Sequence, residues 1–286
     1  QKIKHIHHGI RIHDLSSLNQ DDLKKKYGLE GILIISTMGL KSTNKGIDFG
    51  LEAYGEFLRT RFKSDSPEKK KLLYLISGEY HPNFIKEYPE EYKESEKSIR
   101  DAVKKTSLKT ISINDLKNLS REDVEHNDVV FLESFLSEDF LRESYTMSDI
   151  ILLPYRNAEQ MSSGILADAV GSGKPVVSTK FEHAVELLYS PQIIKSREES
   201  LRFLKGILVD LRGRNRNRPA IDQIIKDGFD PLVFKPEIRE SIGRNARKLG
   251  HDMKWENVTW ELIQHLSSIL EGKVSSRGKD VEVKRE

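Results

Sequence analysis

Short apolar runs that alternate with amphipathic segments constrain the fold of this chain more than any other feature. The runs cover residues 32–37, 72–77, 129–132, 150–154, 176–179 and 206–209, and most show no polar alternation. Strands that are apolar on both faces are typical of a parallel sheet with helices on each side. The segments between them, such as residues 46–62 and 137–148, have apolar residues at helical spacing. The sequence therefore predicts an α/β fold with a doubly wound parallel sheet, whose ligands bind beyond the carboxyl ends of the strands.

Composition and charge narrow the class of protein. Of 286 residues, 37% are hydrophobic and 32% are charged, and the net charge of +2 gives no global attraction to nucleic acid. The apolar runs are too short to cross a bilayer. Cysteine is absent, which excludes thiolate catalysis and cysteine-ligated metals and fits a reducing compartment. We therefore expect no nucleic-acid partner, no transmembrane segment and a cytoplasmic location, with the cytoplasmic membrane surface as the alternative.

The first candidate site follows the first predicted strand. Gly39 ends that strand, a polar loop containing Lys41 follows, and Lys45-Gly46 opens a helix. The free N–H groups of a helix N-terminus, with a lysine beside them, suit a phosphate. The residue order matches neither a P-loop nor the G-x-G-x-x-G fingerprint. The alternative is an ordinary strand–loop–helix connection with a lysine that faces solvent.

A second candidate site follows the second predicted strand, in the stretch "SGEYHPN". Gly78 permits a close approach of the backbone, and His81 is held extended because it precedes Pro82. His81 is thus able to donate a hydrogen bond to a ligand at this edge of the sheet. The alternative is a histidine on a surface loop.

The third candidate site is the stretch "EQMSSGILADAVGSGKPVVST" at residues 159–179. Ser162 and Ser163 are natural N-caps of a helix that we expect to begin near Ile165. Small side chains leave the N–H groups of Ser163, Gly164 and Ile165 open to a ligand. Asp168 lies about one turn into that helix, where its carboxylate can accept hydrogen bonds from hydroxyl groups, and Glu186 is a candidate for the same crevice. The alternative is simple helix capping with a surface carboxylate.

Other chemistries fit the sequence less well. His5, His7 and His8 cluster near the start, but no carboxylate or cysteine is spaced to complete a metal site, so we expect no metal. There is no Gly-x-Ser-x-Gly elbow, which disfavours a serine hydrolase.

Taken in order, these stretches resemble the retaining GT-B glycosyltransferases of family four, and specifically their C-terminal, nucleotide-sugar-binding domain. The similarity covers about residues 3–266, and its most specific part is "GKPVV" after the helix of small residues. The matching stretches are "HIHHGI", "STMGLKSTNKGIDFGLEAY", "LLYLISGEYHP", "VVFL", "MSDIILLPY", "EQMSSGILADAVGSGKPVVST" and "AVELL".

The resemblance assigns roles to the candidate residues. It implies that Lys45 and the helix N–H groups stabilise the departing diphosphate. The family's pair of glutamates falls here on Gln160, or on Glu159 if the register is shifted, and on Asp168, which orients the ribose. The donor-binding residues that it implies are Gly39, Lys41, Gly78, His81, Ser162, Ser163, Gly164, Ile165 and Asp168. The arginine that commonly shares the diphosphate charge is replaced by Leu40.

The resemblance also implies a domain organisation. Residues 1–271 are expected to form the donor-binding domain, with an insertion at about residues 190–205 and a disordered tail at residues 272–286. We expect the acceptor-binding domain to precede Gln1, so that the isolated chain is weakly active or inactive. The donor is a nucleotide-diphosphate sugar and the acceptor is an unidentified hydroxyl group. No further cofactor is expected.

The sequence leaves one other function open and disfavours another. The Gln160 and Leu40 departures fit a non-catalytic nucleotide-sugar-binding or regulatory module that kept the fold and lost charge. An epimerase with a similar two-domain fold would need catalytic carboxylates and a histidine that we cannot identify in the sequence.

Overall fold

A parallel β-sheet lies at the centre of the chain. The computed structural model describes residues 4, 6–12, 18–63, 66–189, 200–210 and 218–270. The strands are β1 Leu33–Met38, β2 Leu72–Ser77, β3 Thr110–Ile113, β4 Val129–Leu132, β5 Ile150–Leu153, β6 Val176–Thr179 and β7 Ile207–Val209. They form one seven-stranded, all-parallel sheet in the order β3-β4-β2-β1-β5-β6-β7. The doubly wound parallel sheet predicted from the sequence is therefore confirmed.

Helices connect the strands on both faces of the sheet. They are α1 Gln20–Lys26, α2 Ile47–Arg61, α3 Pro82–Glu87, α4 Pro89–Thr106, α5 Arg121–His126, α6 Glu138–Met147, α7 Gly164–Gly171, α8 Glu182–Leu188, α9 Arg218–Gln223, α10 Asp230–Phe234, α11 Pro236–Asp252 and α12 Trp255–Leu270. Short 3₁₀ turns lie at Thr43–Lys45, Lys69–Lys71 and Leu116–Asn118, and a π-helical segment at Ile224–Phe229 joins α9 to α10. Ser137 caps α6 as its sequence predicts, because its side chain accepts a hydrogen bond from Phe140 N.

Apolar residues of the strands supply two cores, one on each face of the sheet. Adjacent residues in β1 illustrate this arrangement: Ile34 packs into one cluster and Ile35 into the other, and both are fully buried. Helices α1, α6 and α7 cover the first face, α2, α4, α9 and α10 cover the second, and α11 contributes residues to both clusters. Burial on both faces explains why these strands have continuous apolar sequences.

One strand is missing from the sequence-based prediction. β3 pairs only with β4, at the edge of the sheet, and its residues alternate between exposed and half-buried. Because an edge strand can have one solvated face, its sequence alternates, here as "TISI", and contains no apolar run that would predict a strand. The other six strands agree with the predicted runs to within one residue at each end.

Helix α12 lies on the periphery of the described chain. It has no buried residue, and it exposes Trp260 and Leu266. The N-terminal segment runs beside its start, where the backbone of Ile10 bonds to Met253 and Trp255. The expected tail at residues 272–286 and most of the expected insertion, at residues 190–199, lie outside the described residues.

Candidate functional site

The strand order places a switch point between β1 and β5. From β1 the chain proceeds to β2 on one side, and from β5 it proceeds through β6 to β7 on the other. Connections that diverge in this way leave a crevice beyond the carboxyl ends of the two central strands, where ligands of doubly wound sheets bind. The loops that follow β1 and β5 contain Lys45 and Ser163, so the first and third candidate sites meet at this crevice.

Lys45 lies at the mouth of the crevice, in the turn that precedes α2. Its ammonium group donates a hydrogen bond to the Tyr155 hydroxyl at 2.8 Å and lies 4.1 Å from the centre of that ring. Tyr155 follows β5 and is stacked on Phe181, with 5.0 Å between ring centres. Lys45 is half-buried and has no carboxylate partner among the described residues, so its charge is available to an anion.

Gly46 joins this turn to the loop after β5. Its φ is 61°, and a Cβ atom placed on it would lie 2.0 Å from the Pro154 carbonyl oxygen. The Arg156 N–H also donates to the carbonyl of Asn44 at 2.9 Å. These two contacts explain how the sequence fixes Lys45 against Tyr155, because only glycine allows the backbones to approach so closely.

Gly39 and Gly78 lie together where β1 and β2 end. The Gly78 backbone has a φ of 133°, and a Cβ there would lie 2.2 Å from the Gly39 carbonyl oxygen. The close approach that the sequence predicts for Gly78 is thus made to protein backbone. Gly39 in turn faces Ile165, whose side chain lies 3.3 Å from the position of a Gly39 Cβ. The two glycines therefore shape the floor of the crevice and bring β1 next to the start of α7.

The structure places Lys41 away from solvent. It is 4% exposed, and its ammonium group forms an ion pair with Glu133 at 2.6 Å. The rings of Phe131 and Tyr80 lie 5.5 and 5.8 Å from the same nitrogen. The charge of Lys41 is thus neutralised inside the protein, which leaves Lys45 as the better placed cation for a diphosphate.

His81 caps α3. Its Nδ1 atom accepts a hydrogen bond from the Asn83 N–H at 3.1 Å, and the side chain is exposed. The extended conformation predicted for a residue before proline is confirmed, with φ −61° and ψ 132°. The remaining ring nitrogen is the one that is free to contact a ligand.

The N-terminus of α7 presents free backbone donors to the crevice. Ser163 is the N-cap, and its Oγ accepts from Leu166 N at 3.2 Å. The expectation that its own N–H is free is wrong, because that group donates to Nδ1 of His183 at 2.9 Å. The N–H groups of Gly164 and Ile165 have no acceptor among the described residues, as is usual in a first helical turn. Apart from its chain neighbours and the backbone of its own helix, no atom of the described residues lies within 4 Å of the position of a Gly164 Cβ, so this end of the helix is open.

Gln160 and Glu159 lie in the loop before that helix. The Gln160 side-chain amide donates to the Ser162 carbonyl at 2.9 Å, and the Gln160 carbonyl accepts from His183 N at 3.2 Å. Glu159 is exposed, and its backbone N–H donates to the side chain of Asn157. The loop is therefore held in one conformation with the carboxylate of Glu159 at its surface.

Asp168 lies one turn into α7 and is half-buried. Burial first, and then the Asp168 carboxylate, raise the pKa of the Tyr145 hydroxyl well above its usual value. Glu186, on α8, bonds to Nδ1 of His7. Glu186 therefore contacts the N-terminal segment.

Sequence reasoning missed Tyr155 and His183. Tyr155 directly follows Pro154 at the end of an apolar run, which is where ligand contacts occur in parallel sheets. The position of Tyr155 at the end of a predicted strand could therefore have identified it as a site residue. His183 lies in "FEHAVELL", whose helical spacing shows only that the residue faces inward. Its contact with Ser163 depends on the packing of α8 against the loop, which spacing does not show.

The described residues contain no group of three or more His, Asp or Glu side chains placed to hold a metal ion. None of the described helices is both long and apolar enough to span a membrane.

This architecture, a seven-stranded parallel sheet flanked by helices, is the fold found in GT-B glycosyltransferases. HepE from Anabaena, solved in complex with UDP, superposes with a TM-score of 0.58 at 16% identity over 92% of this chain. A glycosyltransferase from Rickettsia africae gives 0.58 at 18% identity over 93% of this chain. The chain spans 57% of the length of each of those proteins.

A third solved structure, itself an isolated domain, is matched over nearly the whole of its length. The C-terminal domain of LpcC, a glycosyl transferase group 1 family protein of Francisella tularensis, matches with a TM-score of 0.51 and 17% identity. The match covers 81% of this chain and 91% of that domain. No protein-family model matches the chain, and no curated protein shows significant sequence similarity to it. At these identities the comparisons show the fold.

Proposed function

We propose that the chain is the donor-binding half of a glycosyltransferase that moves a sugar from a nucleotide-diphosphate sugar to a hydroxyl acceptor. The observation that carries the proposal is the meeting, at the switch point of the sheet, of an open helix N-terminus and a cation that has no carboxylate partner among the described residues. Lys45 supplies the charge, and Gly164 and Ile165 supply the N–H donors. Such an arrangement binds phosphate groups. The HepE structures are complexes with UDP, with UDP and glucose, and with UDP-glucose, whose phosphate groups suit such a site.

The same groups serve the reaction. As the bond between the sugar and the diphosphate breaks, negative charge develops on the leaving phosphate oxygen. Lys45 and the α7 N-terminus are fixed before the reaction and stabilise that charge. Asp168 orients the ribose, and Gln160 or Glu159 contacts the hexose. We propose transfer with retention and without a bound metal.

The acceptor domain belongs to the proposal as well. The chain matches an isolated C-terminal domain over 91% of that domain and slightly more than half of whole enzymes. Helix α12 exposes Trp260, Ile263 and Leu266. These side chains offer an apolar surface against which an acceptor domain can pack. The full cleft would then form between that domain and the crevice described above.

A calorimetric screen of the chain against UDP, GDP, ADP and their common sugar conjugates tests the donor site. One nucleotide is expected to bind. Loss of a hydrogen bond to a charged group costs about 1.5–3 kcal/mol, so Lys45→Ala should weaken binding about 10- to 100-fold. Lys70→Ala is the matched control, because it removes the same charge from an exposed site at the amino end of β2.

Two results contradict the proposal. If Lys45→Ala binds the nucleotide as tightly as Lys70→Ala does, Lys45 is not part of the donor site. If no nucleotide or nucleotide sugar binds, the crevice does not hold a donor in this chain. The second candidate function, a non-catalytic nucleotide-sugar-binding module, is favoured by Gln160 and Leu40. Sugar transfer or hydrolysis by the full-length protein would exclude that candidate.

A further inference from the structure

His183 accepts a hydrogen bond from the N-cap residue of α7. The side chain is fully buried, and its Nδ1 atom accepts the Ser163 N–H at 2.9 Å. On the other side of the same residue, the Ser163 hydroxyl accepts from Leu166 N. These two hydrogen bonds fix the first turn of α7 between the loop and α8. The free N–H groups of Gly164 and Ile165 therefore point in one direction.

The hydrogen bond from Ser163 defines the state of the imidazole. A ring nitrogen that accepts an N–H must be unprotonated, so the ring is neutral and carries its proton on Nε2. The Nε2 atom is buried and has no hydrogen-bond partner within the described part of the chain. An imidazolium carries protons on both nitrogens and cannot accept from Ser163.

Two ionisable groups act on His183, one from the N-terminal segment and one from its own helix. The His8 ring, from the N-terminal segment, is edge-on with 5.4 Å between ring centres. Glu186 lies on the same helix and bonds to His7. Burial is the main cause that lowers the pKa of His183, with His8 acting in the same direction and Glu186 against it. The neutral ring is thus the stable form at neutral pH.

We propose that His183 is a positioning residue of the donor site, which aims the N–H groups of Gly164 and Ile165 at the diphosphate by holding the Ser163 N–H. The inference rests on the proposed function. Protonation of the ring removes the acceptor, so affinity for the donor falls as the solution becomes acidic. The group that gains the proton is the His183 imidazole, which then loses its contact with Ser163; no group of the ligand needs to titrate.

Substitution of His183 by asparagine and by glutamine distinguishes an acceptor at the position of Nδ1 from one at the position of Nε2. The Asn Oδ1 atom is the same number of bonds from Cα as Nδ1, so His183→Asn keeps an acceptor near Ser163 that does not titrate. The Gln Oε1 atom is one bond further out and corresponds to Nε2. UDP-glucose is a suitable probe, because its diphosphate has no group comparable to the second ionisation of a phosphate monoester near pH 6. Calorimetry between about pH 5 and 8 spans the histidine range.

We expect the wild-type chain to lose affinity for UDP-glucose towards the acid end of this range, below the pH at which an ordinary histidine titrates, because burial lowers the pKa of His183. His183→Asn should bind within about threefold of wild type at pH 8 and lose most of the acid-side weakening. His183→Gln should bind about tenfold more weakly than the wild type at pH 8, as expected for one lost hydrogen bond, and should lose little further affinity at pH 5. Equal affinities of the Asn and Gln variants, or a wild-type pH profile in His183→Asn, would overturn the inference.

A measurement without nucleotide separates this inference from the proposed function. In nitrogen-15 NMR spectra of the unliganded chain, the Ser163 amide should shift as His183 titrates, and it should not shift in His183→Asn. If UDP-glucose fails to bind while the amide follows the titration, the proposed function fails for this donor and the Ser163 contact stands. If UDP-glucose binds and the amide does not respond, the role of His183 is overturned.

Discussion

Replacement of Gly46 by alanine tests how the Lys45 turn is built. Two costs add at this position. A non-glycine residue in the left-handed region, here at φ 61°, costs about 1–2 kcal/mol. The new Cβ would also lie 2.0 Å from the Pro154 oxygen, which is backbone and has to move. Overpacking of this kind costs about 1–3 kcal/mol, so Gly46→Ala should lower the free energy of unfolding by about 2–5 kcal/mol.

Gly31→Ala is the matched control. Gly31 also has a left-handed backbone, with φ 71°, but apart from its chain neighbours no atom of the described residues lies within 4 Å of the position of its Cβ. Only the conformational cost of about 1–2 kcal/mol remains there. Urea denaturation of the two variants and the wild type measures the difference. Because the Pro154 loop carries Tyr155, nucleotide affinity should fall in Gly46→Ala and stay unchanged in Gly31→Ala. Equal free energies of unfolding for the two variants would refute the steric argument.

Two further predictions concern stability. Ser163→Ala removes the N-cap of α7 and should lower the free energy of unfolding by about 1 kcal/mol. Ser137→Ala removes the N-cap of α6 and should lower it by a similar amount, measured by thermal unfolding, but it should leave nucleotide binding unchanged. Burial lowers the pKa of Lys174 from 10.5 to about 8, so the unfolded chain binds more protons and stability rises with pH across that interval. Lys174→Met should flatten this rise and increase stability at pH 7 by at most about 3 kcal/mol; an unchanged pH profile in urea denaturation would contradict this prediction.

The sequence predicts the sheet because its central strands are apolar on both faces. Strands such as β2 and β4 have every residue buried, and their bounds agree with the predicted runs. β3 escapes prediction for the opposite reason, since an edge strand with a solvated face needs no apolar run. The helix α7 is predicted from its small residues and serine caps, and it begins one residue earlier than expected.

The candidate site is predicted at the level of loops and not of side-chain partners. Strand ends identify the loops that contain Lys45 and Ser163, because the carboxyl ends of parallel strands share one edge. Sequence does not show that Lys41 turns inward to Glu133, since those residues are 92 positions apart. The contact of His183 with Ser163 is hidden for the same reason, because it depends on how α8 packs against the loop.

The choice between a transferase and a non-catalytic module depends on the loop before α7. Gln160 donates its amide to the Ser162 carbonyl at 2.9 Å, which a glutamate carboxylate at the same position could not do. The glutamine is therefore part of the support of this loop and not simply a neutral replacement for a charged residue. Glu159 is the one acidic residue between Tyr155 and Ser163, and it is exposed. If the full-length protein transfers sugar, the hexose contact falls to the Gln160 amide or to Glu159. If nucleotide binds without transfer, the same hydrogen bonds explain a crevice that keeps its shape without a catalytic carboxylate.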